Sequence, residues 1–181
     1  MKHALKIILV VVSVFLFNNL PGQTKLSGGM GIFNMIDPYP ASVNSDFGKK
    51  ANIGLYLTWK YGLNEKVYAG INTGYYVNSY EDESGRKTEY YMPILGIIEY
   101  RFGTNDFVPY VAGNIGLYRI GMSGDGVSES SGNFGFAASA GFDYHLSPQF
   151  FLHGCMYYHY INIHSIRTSA FGFNGGVGFR F

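Results

Sequence analysis

Apolar side chains fall on alternate positions through eight successive segments, roughly 24–33, 51–61, 66–78, 89–102, 107–119, 133–146, 150–161 and 170–181. A period of two is the repeat of an extended chain with unlike faces, so each segment reads as a β-strand. The last segment sets Phe171, Phe173, Val177, Phe179 and Phe181 against Gly172, Asn174, Gly176, Gly178 and Arg180. The second sets Ile53, Leu55, Leu57, Trp59 and Tyr61 against Asn52, Gly54, Tyr56, Thr58 and Lys60. In the sixth, Phe134, Phe136, Ala138, Ala140, Phe142 and Tyr144 oppose Gly135, Ala137, Ser139, Gly141, Asp143 and His145.

The links between segments alternate as well. Gly62–Glu65, Gly103–Asp106 and Ser147–Gln149 are short and turn-like, whereas 34–50, 79–88, 120–132 and 162–169 are long and hold most of the Asp, Glu, Ser and Lys. In an up-and-down barrel every second link lies on the same rim. The short turns therefore share one rim with both termini, an asymmetry of outer-membrane barrels with short periplasmic turns and longer outer loops. The expected fold is all-β: an eight-stranded antiparallel up-and-down transmembrane β-barrel.

Periodicity does not say which face is inside; composition does. Charged residues are 14% of the chain, against about 25% in ordinary soluble domains. A Gly, Ala, Asn and Tyr face is too poor in charge to be a soluble surface. With the apolar face in lipid, the small polar set instead fills the narrow interior of an eight-strand barrel. Aromatics gather near both strand ends, Trp59, Tyr61, Tyr100, Phe102 and Phe150 toward the short turns and Tyr75, Tyr90, Tyr158 and Tyr160 toward the long links. Paired girdles of this kind mark the two membrane interfaces. An aromatic content of 18% excludes disorder. The soluble alternative is a secreted barrel of lipocalin type.

At the start, Lys2 and Lys6 make a basic stretch before an apolar run, Ile7 to Phe17, broken only by Ser13 and ended by Pro21 and Gly22. The run is too short to span a bilayer as a helix and fits the core of a cleavable signal peptide. The expected division is a signal peptide over 1–22, cut near Gly22–Gln23, and one barrel domain over 23–181. Losing Lys2 and Lys6 from 13 basic residues leaves 11 against 12 acidic ones. Nucleic acid is excluded as a partner, since it calls for a basic field. Cys155, the single cysteine, has no intramolecular disulfide partner and reads as a packing residue.

Inward charges gather near the short-turn rim: Lys60, Glu99, Arg101, Asp143 and Arg180, with His145 and His153. A charge inside the barrel needs a partner there, because desolvation is expensive. These residues are expected to form a lumen ionic network; a selectivity ring or proton path is the alternative. Facing also sets register, since opposed residues in an antiparallel pair share a face. With Ser147, Pro148 and Gln149 as the loop, Leu146 faces Phe150, Tyr144 meets Leu152, Asp143 meets His153, Gly141 meets Cys155, Ser139 meets Tyr157 and Ala137 meets His159. If the Gly103–Asp106 turn pairs Phe102 with Phe107, Glu99 faces Tyr110.

The chain finishes Phe179-Arg180-Phe181, on the apolar face of an amphipathic strand. In this ending and in its eight-strand pattern it resembles the OmpA/OmpX-like outer-membrane β-barrel family of Gram-negative bacteria, whose members are similar in carrying interior ionic networks. The resemblance implies a place in the cell outer membrane, contact with its lipids and lipopolysaccharide, and recognition of Phe181 and its strand by the barrel-assembly machinery. The size is also similar to OmpW-like barrels, which implies a narrow channel for small solutes as the alternative to a structural or surface-interaction role. Tyr157–Asn162 looks like the catalytic strand of the lipid A deacylase (PagL) family, which uses His-x-Ser-Asn. His159 and Asn162 match, but Ile161 stands where the nucleophile is needed, and Ser165 follows His164 at the wrong spacing. His153, His159 and His164 have no metal-ligand spacing. No catalytic residue, metal or cofactor is expected, and the expected function is non-enzymatic.

Overall fold

The alternation resolves into eight antiparallel strands. They are β1 (Thr24–Met35), β2 (Asn52–Gly62), β3 (Val67–Asp82), β4 (Gly85–Arg101), β5 (Phe107–Gly124), β6 (Val127–His145), β7 (Phe150–Ile163) and β8 (Ile166–Arg180). The computed structural model describes residues 23–35, 51–82, 85–103, 105–124, 127–163 and 166–181. The expected signal peptide over 1–22, most of the first long link, His164 and Ser165 lie outside the described residues. Each strand pairs with its sequence neighbours, and β1 pairs with β8, so the sheet closes on itself. Closure leaves no unpaired edge, which is what lets strands cross a membrane.

The short turns are set by local side-chain bonds. Asn64 Oδ1 accepts from the backbone N–H groups of Lys66 at 2.9 Å and Val67 at 2.8 Å. Ser147 Oγ accepts from Gln149 N at 3.3 Å and Phe150 N at 3.0 Å. Asn and Ser hold turns in this way by bonding the backbone two or three residues on.

Three of the four long links differ from expectation. They are hairpins that carry the barrel strands outward: β3 and β4 pair as far as Asp82 and Gly85, β5 and β6 as far as Gly124 and Val127, β7 and β8 as far as Ile163 and Ile166. Along these extensions polar residues interrupt the apolar alternation while backbone pairing continues. Polar cross-strand pairs take over, as where the Ser79 and Thr88 hydroxyls lie 2.9 Å apart. Gly85, at φ 117°, occupies a backbone region open to glycine at the β3–β4 turn.

Curvature explains one pair of small residues. Gly29 and Gly176 face each other where β1 meets β8. A Cβ on Gly29 would lie 2.6 Å from Gly176 Cα, and one on Gly176 would lie 2.7 Å from Gly29 Cα. Neither strand can give way without opening the seam. By contrast, a Cβ on outward Gly113 would meet nothing within 4 Å.

The facing follows the sequence. Leu55, Leu57, Ile71, Ile94, Ile98, Ile115, Leu117 and Val177 are exposed on the outer wall, whereas Lys60, Glu99, Asp143 and His153 are buried inside.

Candidate functional site

The inward positions of the short-turn half bring five of the seven sequence-identified residues together. Lys60 Nζ lies 2.7 Å from Glu99 Oε2. Arg101 bridges the two acids: one terminal nitrogen is 2.7 Å from Glu99 Oε1 and 2.6 Å from Asp143 Oδ2. The first of these is an ion pair off the hydrogen-bond direction, since Glu99 Oε1 has no hydrogen-bond partner. Asp143 Oδ1 lies 2.9 Å from His153 Nδ1. A carboxylate only accepts, so Nδ1 donates, and Nε2 meets the Tyr110 hydroxyl at 3.3 Å.

The other two sequence-identified residues, His145 and Arg180, stand at the rim instead. Arg180 Nε donates to the Pro148 carbonyl at 2.8 Å, and the His145 ring packs 5.6 Å from Phe151. Both lie at strand ends, at the mouth, where they line one cavity with Lys25 and Arg101 of the ionic layer.

Lys25 belongs to the network and was not identified from the sequence. Its Nζ is 3.3 Å from Asp143 Oδ2, and the residue is 1% exposed. The signal was present: Lys25 shares its phase with Ser27, Gly29 and Gly31, opposite Leu26, Met30 and Ile32. Aromatic faces complete the layer, with Arg101 over the Tyr68 ring at 4.3 Å and Lys60 over Tyr110 at 4.9 Å.

Tyr110 faces Arg101, and Glu99 faces Ala112. This corrects the expected Glu99–Tyr110 pair by two residues. The last bond of that hairpin runs from Phe102 N to the Pro109 carbonyl. Pro109 has no N–H to return a bond, so the ladder ends at this rung and the link is wider than four residues.

The interior above the ionic layer is less uniformly small and polar than expected. Its middle holds bonded amides and hydroxyls, including Asn72 to Thr58 at 2.6 Å and Asn72 to Tyr157 at 3.2 Å. The loop-ward part is an apolar cluster that includes Phe33, Met35, Tyr76, Tyr91, Leu95, Tyr118 and Ile161. Phe33 and Tyr91 stack at 5.0 Å, and Tyr76 donates to Asn174 Oδ1 at 2.8 Å. Glu89 is a second inward charge outside the sequence reading, fully buried toward the long-link end.

The deacylase-like segment is divided between the two faces of the wall. His159 is buried in the lumen with Nδ1 2.8 Å from the Tyr118 hydroxyl, while Asn162 is exposed on the opposite face. Cys155 is buried beside Tyr110 and Tyr157 in a small inner cluster. Phe181 is exposed outside, its N–H donating to Thr24 O at 2.9 Å and its ring edge-on to Phe179 at 4.8 Å.

The model of the outer membrane protein beta-barrel domain matches residues 7–181. The chain belongs to this family. Solved members of the outer-membrane barrel class share its fold. Neisserial surface protein A superposes with a TM-score of 0.66 at 16% identity, covering 88% of this chain and 97% of that one. Ail, the attachment invasion locus protein of Yersinia pestis, solved with the heparin analogue sucrose octasulfate, gives 0.62 at 18%, over 90% and 100%. OprG of Pseudomonas aeruginosa gives 0.60 at 17%, over 88% and 96%. No curated protein matches by sequence. The chain is an outer-membrane β-barrel, and an outward apolar wall is what such a barrel presents to lipid.

Proposed function

We propose that this barrel is a non-enzymatic membrane anchor whose lumen is sealed and whose long hairpins act outside the cell. One observation carries the reading: the interior is filled in successive layers, ionic at the short-turn end and aromatic toward the long hairpins. Eight strands enclose a space that side chains can fill. The buried Lys60–Glu99 and Arg101–Asp143 pairs hold it shut where a solute would have to enter. Residues 1–22 then act as the export signal, the short turns face the periplasm, and Phe181 with β8 presents the strand end to the barrel-assembly machinery. The wall contacts outer-membrane lipids, with lipopolysaccharide around the outer half.

A narrow channel is the competing reading. In planar bilayers the sealed barrel is expected to give no steady conductance, whereas sustained ion-selective steps establish the channel. The surface role is tested by binding of the folded barrel to immobilised heparin and to host-surface components, an arm suggested by the sulfated ligand of Ail. Binding that survives boiling of the barrel would argue against a role for the folded hairpins. Mass spectrometry of lipid A from cells with and without the protein tests the enzymatic alternative, with no change expected.

A further inference from the structure

Buried cations at the short-turn end outnumber the carboxylates they meet. Lys25, Lys60 and Arg101 share Glu99 and Asp143, so one positive charge of this layer has no carboxylate of its own among the described residues. The face of Tyr68, 5.2 Å from Lys25 Nζ and 4.3 Å from the Arg101 guanidinium carbon, offsets that charge only in part. Two nitrogens are left over as well. Arg101 Nε and His145 Nδ1 are buried with no hydrogen-bond partner, although Arg101 is only 2% exposed. The Arg101 Nε–H is a donor, and a buried donor left unpaired is costly.

A cavity of about 550 Å³ opens at the short-turn rim and is lined by Lys25, Arg101, His145 and Arg180, with Tyr68 alongside. Glu65 is the one carboxylate among its described lining residues. Arg180 also lines it, its Nε donating to the Pro148 carbonyl.

We infer that this vestibule is an oxyanion site, taking a phosphate group between Lys25, Arg101, His145 and Arg180. A phosphate supplies the missing negative charge and enough acceptor oxygens for several N–H donors at once, and the guanidinium fork matches its geometry. The same chemistry is offered by dissolved phosphate and by the phosphomonoester headgroup of a lipid in the adjacent leaflet. Binding here is separate from any action of the hairpins at the opposite rim.

The test uses the folded protein purified from outer membranes into phosphate-free detergent, followed by NMR of the Arg101 Nε–H and the His145 ring. Inorganic phosphate added at constant ionic strength is expected to move both signals saturably, with chloride failing to reproduce the shifts. Arg180→Gln is expected to weaken binding about tenfold or more, as loss of a charge-assisted bond does. If that variant does not fold, judged by unboiled gel mobility, His145→Gln replaces it with the same expectation. Shifts produced by phosphatidic acid in vesicles without free phosphate identify the lipid source, and shifts with dissolved phosphate alone identify the soluble one; either upholds the site. Absence of a saturable shift, equal effects of chloride, or unchanged affinity in the folded variant overturns it.

Discussion

Asp143 and His153 face each other across the β6–β7 hairpin, with Asp143 Oδ1 2.9 Å from His153 Nδ1 and both side chains inside the barrel. Asp143 also receives Lys25 and Arg101 on its other oxygen. One carboxylate therefore ties β1, β4, β6 and β7 together across the lumen.

Removing that charge should be felt throughout the barrel. Asp143→Ala leaves Lys25 and Arg101 buried with less compensation, a change that typically costs about 3–5 kcal/mol. Urea titration of the folded fraction in detergent checks it. Loss of less than about 1 kcal/mol, within the range of an exposed ion pair, would show the cluster to be water-filled and screened.

The seam between β1 and β8 gives a steric prediction. Gly29→Ala places a methyl group 2.6 Å from Gly176 Cα, and overpacking of this kind costs about 1–3 kcal/mol. Gly113→Ala points into open space and should be nearly neutral. Refolding yields of the two variants, compared on unboiled gels, check the pair. Equal yields would mean that the seam is looser than described.

The outer wall is expected to reject charge by depth. Leu57→Arg or Ile94→Arg, at outward positions about half exposed to the surroundings of the barrel, should cost about 2–4 kcal/mol in bilayers. Ser123→Arg, exposed on the β5 extension, should be tolerated. Vesicle refolding equilibria measure both. Comparable costs at Leu57 and Ser123 would reverse the assignment of the wall.

Much of this architecture is legible in the sequence because a barrel wall repeats one rule. The β6–β7 register, from Leu146 opposite Phe150 through Ala137 opposite His159, follows from parity and a minimal loop, and the ladder has that register. Parity alone does not give turn length, which is why Glu99 was expected two residues away from its observed partner Ala112. Pro109 ends that ladder early, an effect of one missing N–H that alternation does not encode. Lys25 was missed because the first strand's faces are diluted by Gly28, Gly29 and Gly31, leaving few side chains to fix the phase. The aromatic packing of Phe33, Tyr91 and Tyr118 is a three-dimensional result of strands distant in sequence meeting inside the barrel. The hairpin extensions escape the sequence reading because polar residues such as Ser79, Thr88 and Ser123 interrupt the apolar alternation while backbone pairing continues.

Quenching of tryptophan fluorescence by lipids brominated near the bilayer centre tests the central claim most directly. In a Trp59→Phe background, Trp placed at Leu57 and at Ile94 should be strongly quenched in vesicles, and Trp at Glu65, on the short turn, should not. Quenching at Leu57 and Ile94 no greater than at Glu65 would contradict a transmembrane barrel whose apolar face meets lipid.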